Sequence, residues 1–229
     1  MFEEIKQEWQ KIFSEVLEST SYKKILQGTI TKDEYAEICR QYFFYTSTNP
    51  QVQALTAVHF KGEQRRFVKS FFKHAISEID HDLMALNDLQ TLGYDIDFID
   101  TEEPLAQTQA LIAYPFFLAQ FKNPIAYLGY LFHLEFAPTT IGKDAVEGFM
   151  KAGIPLNALT FLTEHTTVDV AHNKFMESYV DGLVRTEQDF KEIVTAMRNT
   201  AEFHTKMMDN AILKANKETS KYEDFRPVL

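Results

Sequence analysis

Two histidines and a carboxylate recur at one spacing in two places in this chain. His165, Asp169 and His172 fall at i, i+4 and i+7, and so do His74, Glu78 and His81. At about 100° of turn per residue each set occupies one narrow stripe of a helix. Ala158, Leu162, Met176 and Tyr179 continue the first stripe, and Phe67, Phe71 and Ala85 continue the second. Both sets therefore interrupt core faces. An isolated buried charge costs many kcal/mol unless it is paired, neutralised or bound to a metal, so these residues need partners. A further carboxylate, Glu135, lies among Tyr127, Leu128, Leu131, Phe132 and Phe136 in a run that is apolar nearly all round.

Bundle cores hold metal ions with inward-facing carboxylates and imidazoles from facing helices. Glu78, Glu135 and Asp169 carry three negative charges, so two divalent cations and one bridging hydroxide would bring the set to neutrality. Imidazole and carboxylate without thiolate suit iron or manganese, and open positions on such a site are what O2 chemistry uses. A set of about six ligands is more than one zinc needs, and calcium or magnesium would want more oxygen. Simpler readings exist for each residue alone. A single helical histidine is more often hydrogen-bonded core or surface than ligand, and Glu135 could cap a helix or face a loop. It is the pair of complete triads that argues for metal. His133, about 200° around the helix from Glu135, reads as structural, as do His59 and His204. Cys39 reads as a buried, inert thiol, and the Phe and Tyr stripes read as core before anything else.

The positioning elements are helical. Residues 2–18 form an amphipathic helix, and Gly28 ends a short helical piece. Thr31 and Glu34 make a capping box that opens a long helix through Tyr35, Ile38, Tyr42 and Tyr45. Asn49-Pro50 kinks or breaks it, and the pattern resumes to Phe60. One helix is expected over 63–92, closed by Leu92-Gly93, with an acidic connection from Tyr94 to Glu103. Another covers 105–121, bent near Pro115. Asn123-Pro124 starts the helix of Glu135, Pro138 and Gly142 punctuate it, and a short helix follows over 143–151. After Gly153-Ile-Pro155 comes the helix of His165, then a last one over 186–214 and a charged tail over 215–229 that packs loosely or frays. No strand, low-complexity segment or solenoid repeat is evident. The fold class is all-α, in one domain over 1–229.

Twenty Phe and ten Tyr against one Trp point to an interior built from rings, in a chain of 229 residues that is long enough for a sizeable core. The net charge of −10, with no run of Lys and Arg, argues against nucleic acid as a partner. One cysteine excludes an internal disulfide, the N-terminus lacks a signal-peptide pattern, and no apolar run is long enough to span a membrane. A cytoplasmic setting is the expectation.

The segment Thr163-Glu-His-Thr-Thr-Val-Asp-Val-Ala-His172 closely resembles the His-x3-Asp-x2-His helix of the haem-oxygenase-like diiron oxidases. That superfamily includes the chlamydial death-domain-associating proteins and shares its fold with the TenA thiaminases and pyrroloquinoline-quinone synthase. Tyr22 before the Gly-x-x-Thr-Lys helix start, the Tyr42-rich second helix, His81 and Glu135 match in the same order, over about residues 15–210. The resemblance implies a bundle of about seven helices that holds two iron ions, or manganese and iron, without haem. It also implies O2 as co-substrate and a homodimer. His81, Glu135, His165, Asp169 and His172 fall on ligand positions of the superfamily. Glu78 matches the Glu-x2-His form of the helix in one branch. In the death-domain-associating branch that carboxylate lies seven before the histidine, where this chain has His74, so His74 is either a ligand or a neighbour of the ligands. Tyr22 matches a tyrosine that the same branch consumes, but the lysine it works with there is Ala145 here, with Lys143 only nearby.

These readings lead to a non-haem dimetal oxidase or oxygenase acting on a small organic substrate, with Tyr22 or Tyr42 as proton or electron donor. The alternatives are a metal-free TenA-like hydrolase, or a ferritin-like metal store or interaction protein.

Overall fold

The computed structural model describes residues 1–223, without the side chains of residues 100, 167–171 and 219–223. The described residues form α-helices and short 3-10 turns, with no strand. In chain order the helices are α1 (Phe2–Val16), α2 (Thr20–Gln27), α3 (Lys32–Thr46), α4 (Asn49–Val58), α5 (Val68–Ser77) and α6 (His81–Thr91). They continue with α7 (Ala106–Phe121), α8 (Tyr127–Lys151), α9 (Thr160–Leu183) and α10 (Glu187–Glu223). Among the described residues the count of ten exceeds the expected seven or so, in part because the chain breaks between α3 and α4 and between α5 and α6, leaving short segments.

Local chemistry fixes several of these boundaries. The Glu34 amide donates to Thr31 Oγ1 at 3.2 Å while the Thr31 amide donates to Glu34 Oε2 at 2.8 Å, completing the capping box of α3. Gly28 closes α2 with a φ of 69°, in the left-handed region that glycine enters without a Cβ penalty. Asp88, fully buried, accepts hydrogen bonds from the amides of Thr160 and Phe161 at 2.8 and 3.0 Å and from the Tyr35 hydroxyl at 3.2 Å. One carboxylate thus fastens α6 and α3 to the N-terminal end of α9, where the four orphan amides of a helix need acceptors. It thereby sets the position of the helix that carries His165 and His172.

Rings fill the interior: Phe132 and Phe136 stack at 4.2 Å, Trp9 stacks on Phe13 at 4.7 Å, and Phe71 meets Tyr179 at 4.3 Å. A Cβ on Gly142 would lie 2.2 Å from Thr166 Cγ2, so α8 and α9 approach at a distance only a residue without a side chain permits. Among the described residues no helix is long and apolar enough to cross a membrane.

Three boundaries depart from the sequence reading. The helix expected over 63–92 is instead a 3-10 turn at Gly62–Phe67 followed by α5 and α6, broken at Asp80 with a φ of 73°. Aspartate tolerates the left-handed region better than most residues, so one non-glycine residue turns the chain there. Pro138 and Gly142, read as punctuation, lie inside a continuous α8. A proline inside a helix costs about 3 kcal/mol, but α8 packs along its length against α9 and α10, and that burial outweighs it. The tail expected to fray from residue 215 continues as helix to Glu223, held by Asn216 Nδ2 donating to Glu34 Oε1 at 3.0 Å. Residues 224–229 lie outside the described residues.

Candidate metal centre

α5 ends at the two residues that begin the site. His74, fully buried on its inner face, places Nε2 2.9 Å from Glu135 Oε1, which α8 brings across the core. His172 from α9 places Nδ1 3.0 Å from Glu135 Oε2 and 3.4 Å from Glu78 Oε1, and its ring centre lies 4.1 Å from that of His74. Glu78 caps α5, and Oε1 lies 3.7 Å from His74 Nε2. His74, Glu78, Glu135 and His172 each bring one donor atom within 4.8 Å of the others.

A second group adjoins the first. Glu78 turns Oε2 to 3.3 Å from His81 Nδ1, at the start of α6, and the His81 ring lies 4.7 Å from that of His165 on α9. Glu78, His81 and His165 meet the same 4.8 Å limit. Glu78 is the residue common to both groups. The side chain of Asp169 lies outside the described residues.

Neighbouring groups set which histidine nitrogens face inward. His165 Nδ1 lies 2.6 Å from the Phe161 carbonyl, to which it can only donate, so Nε2 carries the lone pair. Ser77 spends its hydroxyl hydrogen on the His74 carbonyl at 2.8 Å and so accepts at 3.2 Å from His172 Nε2. The lone pair of a neutral His172 is thereby left on Nδ1, against the Glu135 carboxylate. Burial alone would raise the pKa of Glu135, but with a proton on His74 and on His172 Nδ1 these imidazoles outweigh it and hold the carboxyl well below the usual range. For His165 burial lowers the pKa, and His81 beside it adds to the effect, so it is neutral at pH 7.

The donor set fits a cation. Buried Glu78 Oε1 and His81 Nδ1 have no hydrogen-bond partner, although Glu78 Oε1 is within ion-pair distance of His172 Nδ1 and Glu78 Oε2 of His81 Nδ1, both without hydrogen-bond alignment. A lone pair facing a carboxylate, as at His172, is repulsive unless a proton or a cation lies between them.

Beside Glu78, Glu135 and His165 lies a narrow cavity that opens to solvent. Tyr22 and Tyr42 are on its wall, outside both groups. Tyr42 donates to Met208 Sδ at 3.7 Å and stacks on Phe161 at 4.7 Å. Burial pushes both phenols above their usual pKa, so both are protonated at neutral pH. Ala145 lines the same cavity, while Lys143 is exposed. His133 faces His204 with ring centres 5.6 Å apart, and His204 lines the cavity. Ser77 and Gln53 were not among the residues the sequence singled out, Asn49 was read only as a helix break and His204 only as structural. None belongs to a periodic set, which is the signal that reveals the triads.

Residues 36–205 match the pattern of a family described as iron-containing redox enzymes. The chain belongs to that family. No curated protein is significantly similar to it in sequence. Among solved structures, this member is similar to a domain of unknown function with a heme oxygenase-like fold from Shewanella denitrificans, with a TM-score of 0.87 at 24% identity over 99% of this chain and 97% of that one. A TenA homologue from P. horikoshii gives 0.76 at 12% identity over 93% and 98% of the two chains. Heme oxygenase-1 from the cyanobacterium Synechocystis, solved in complex with heme, gives 0.74 at 14% identity over 96% of each chain. These likenesses establish the haem-oxygenase-like fold expected from the 163–172 segment. The family adds iron and redox chemistry.

Proposed function

We propose that the protein is an O2-dependent oxidase or oxygenase whose centre takes two iron ions, or one manganese and one iron, without haem, and whose substrate is a small organic molecule held in the adjoining cavity. The observation that carries this reading is Glu78, one carboxylate turned toward two groups of donors at once. His74, Glu135 and His172 would complete one position. His81 and His165, with Asp169 by resemblance, would complete the other. Two redox-active ions so held supply O2 with electrons and so provide an oxidant for a bound substrate.

The chain's own residues do the rest. The Phe161 carbonyl and Ser77 fix the inward nitrogens of His165 and His172, so both imidazoles are oriented before anything binds. Tyr22 and Tyr42, kept protonated by burial, hold a phenolic hydrogen at the cavity wall that can be handed across it. Leu131, Leu134, Ile141 and Phe161 exclude water and hold an apolar substrate body. With Ala145 on the wall and Lys143 in solvent, no lysine among the described residues lines the cavity for a reaction that consumes both it and Tyr22.

The metal-free hydrolase reading needs a cysteine nucleophile at the cavity. Cys39 is the only cysteine, is fully buried away from the cavity wall, and burial raises its thiol far above the usual range. The test is elemental analysis of protein loaded anaerobically, followed by optical spectra on mixing with O2. About two ions per chain and a transient visible band are expected; no bound metal under any loading condition would sink the proposal. Gel filtration on the same sample tests the proposed homodimer and would expose the large cage that a storage role requires.

A further inference from the structure

The cavity has a polar stretch of wall that the proposed chemistry leaves unused. Asn49 and Gln53 stand one turn apart on α4, and both line the cavity. The Gln53 side chain is fully buried, and neither its Nε2 nor its Oε1 has a hydrogen-bond partner. A buried amide with both ends unpaired is among the rarer features of a folded core and calls for a missing partner. Asn49 is half satisfied: its Oδ1 accepts from the Tyr130 hydroxyl at 2.8 Å, which leaves Nδ2 as the end available to a ligand. α4 packs against α5, so the amide and the carboxylate of Glu78 open on the same space.

The geometry points to Gln53, with Asn49 beside it, as the subsite that orients the substrate, and to an uncharged group with a hydrogen-bond donor and acceptor side by side as what it takes. A primary carboxamide is the simplest such group. Its N–H would donate to Gln53 Oε1 while its carbonyl accepts from Gln53 Nε2. A carboxylate would set oxygen against Oε1, and among the described residues no lysine or arginine lines the cavity to compensate. An ammonium would be drawn to Glu78 and Glu135 instead. The remainder of the ligand is apolar, because the wall beyond is Leu131, Leu134 and Phe161.

This inference deepens the proposed function, but it is testable apart from the metals. Hexanamide, 1-hexanol and hexanoate, which share one apolar length, are titrated into the full chain, with and without anaerobic iron loading, by calorimetry and thermal shift. The variant is Gln53→Met, of similar volume, with Gln53→Leu as a second in case the first does not fold. Wild type is expected to bind hexanamide at least tenfold more tightly than the other two. The variants are expected to lose that preference, keep their affinity for 1-hexanol, and melt no lower than wild type without ligand, because an unpaired buried amide has been removed. Equal binding of the three probes by wild type, no binding of any, or a preference that survives in the variants would overturn the subsite. Folded variants that lose their iron would assign Gln53 to the centre and also overturn it, leaving the metal proposal intact. Wild type that prefers hexanamide but takes up no iron would leave the subsite standing without the centre.

Discussion

Glu78 and His81 stand three residues apart on either side of the break between α5 and α6, and Glu78 Oε2 lies 3.3 Å from His81 Nδ1 across it. On the proposed assignment Glu78 is a ligand at both positions. Replacing it by glutamine keeps its volume and removes the charge both positions share. Glu78→Gln is expected to reduce the metal content from about two ions to well below one, whereas His165→Ala removes about one. Elemental analysis of both variants decides the matter, and a Glu78→Gln protein that loads fully would dismiss the shared role.

Asp80 makes the turn that separates the two residues, with a φ of 73°. A β-branched side chain in that region costs about 1–2 kcal/mol. At this chain length Asp80→Val should lower Tm by about 2–8 °C. It should also weaken loading at the position that includes His81 more than at the position around Glu135. Asp80→Gly, which accepts the same backbone without strain, is expected to melt at or above the wild-type temperature and to load normally.

Ser77 accepts from His172 Nε2 and so keeps Nδ1 turned toward Glu135. Loss of such a supporting hydrogen bond typically lowers metal affinity about 10–100-fold. Ser77→Ala should show that loss in a competition titration with a chelator, with thermal stability little changed. An unaltered affinity would mean that packing alone orients the imidazole.

His204 is buried between Tyr42, Tyr45 and His133, and burial lowers its pKa to about 4 from an ordinary value near 6.5. The unfolded chain therefore takes up the proton first. The contribution of a neutral His204 is fully present above about pH 6.5 and is lost as the pH falls toward 4, by up to about 3 kcal/mol. Denaturant midpoints of metal-free protein between pH 7 and 4 should fall more steeply for wild type than for His204→Phe. Parallel curves would place the acid sensitivity elsewhere.

What the sequence made legible was periodic. The two triads and the apolar setting of Glu135 follow from spacing alone, and the Thr31 to Glu34 box from a local pattern that requires no tertiary contact. The break before His81 was not legible, because Ile79-Asp80 lacks the glycine or proline that usually marks a turn. Pro138 misled for the opposite reason: its local cost is real, but packing of α8 against two helices decides the outcome. Ser77 and Gln53 are single polar residues whose meaning depends on which atoms lie opposite, and that information arises only on folding. Asp169 rests on spacing and resemblance, because its side chain lies outside the described residues.

The two groups differ in access to solvent. His74, His172 and Glu135 are 0%, 3% and 5% exposed, whereas His165 is half-buried on the cavity wall. On the proposed assignment an ion among His74, Glu135 and His172 is the more enclosed of the two. Residence time, and not affinity alone, then distinguishes the positions: under a chelator the ion beside His165 should leave first and the enclosed one lag behind it.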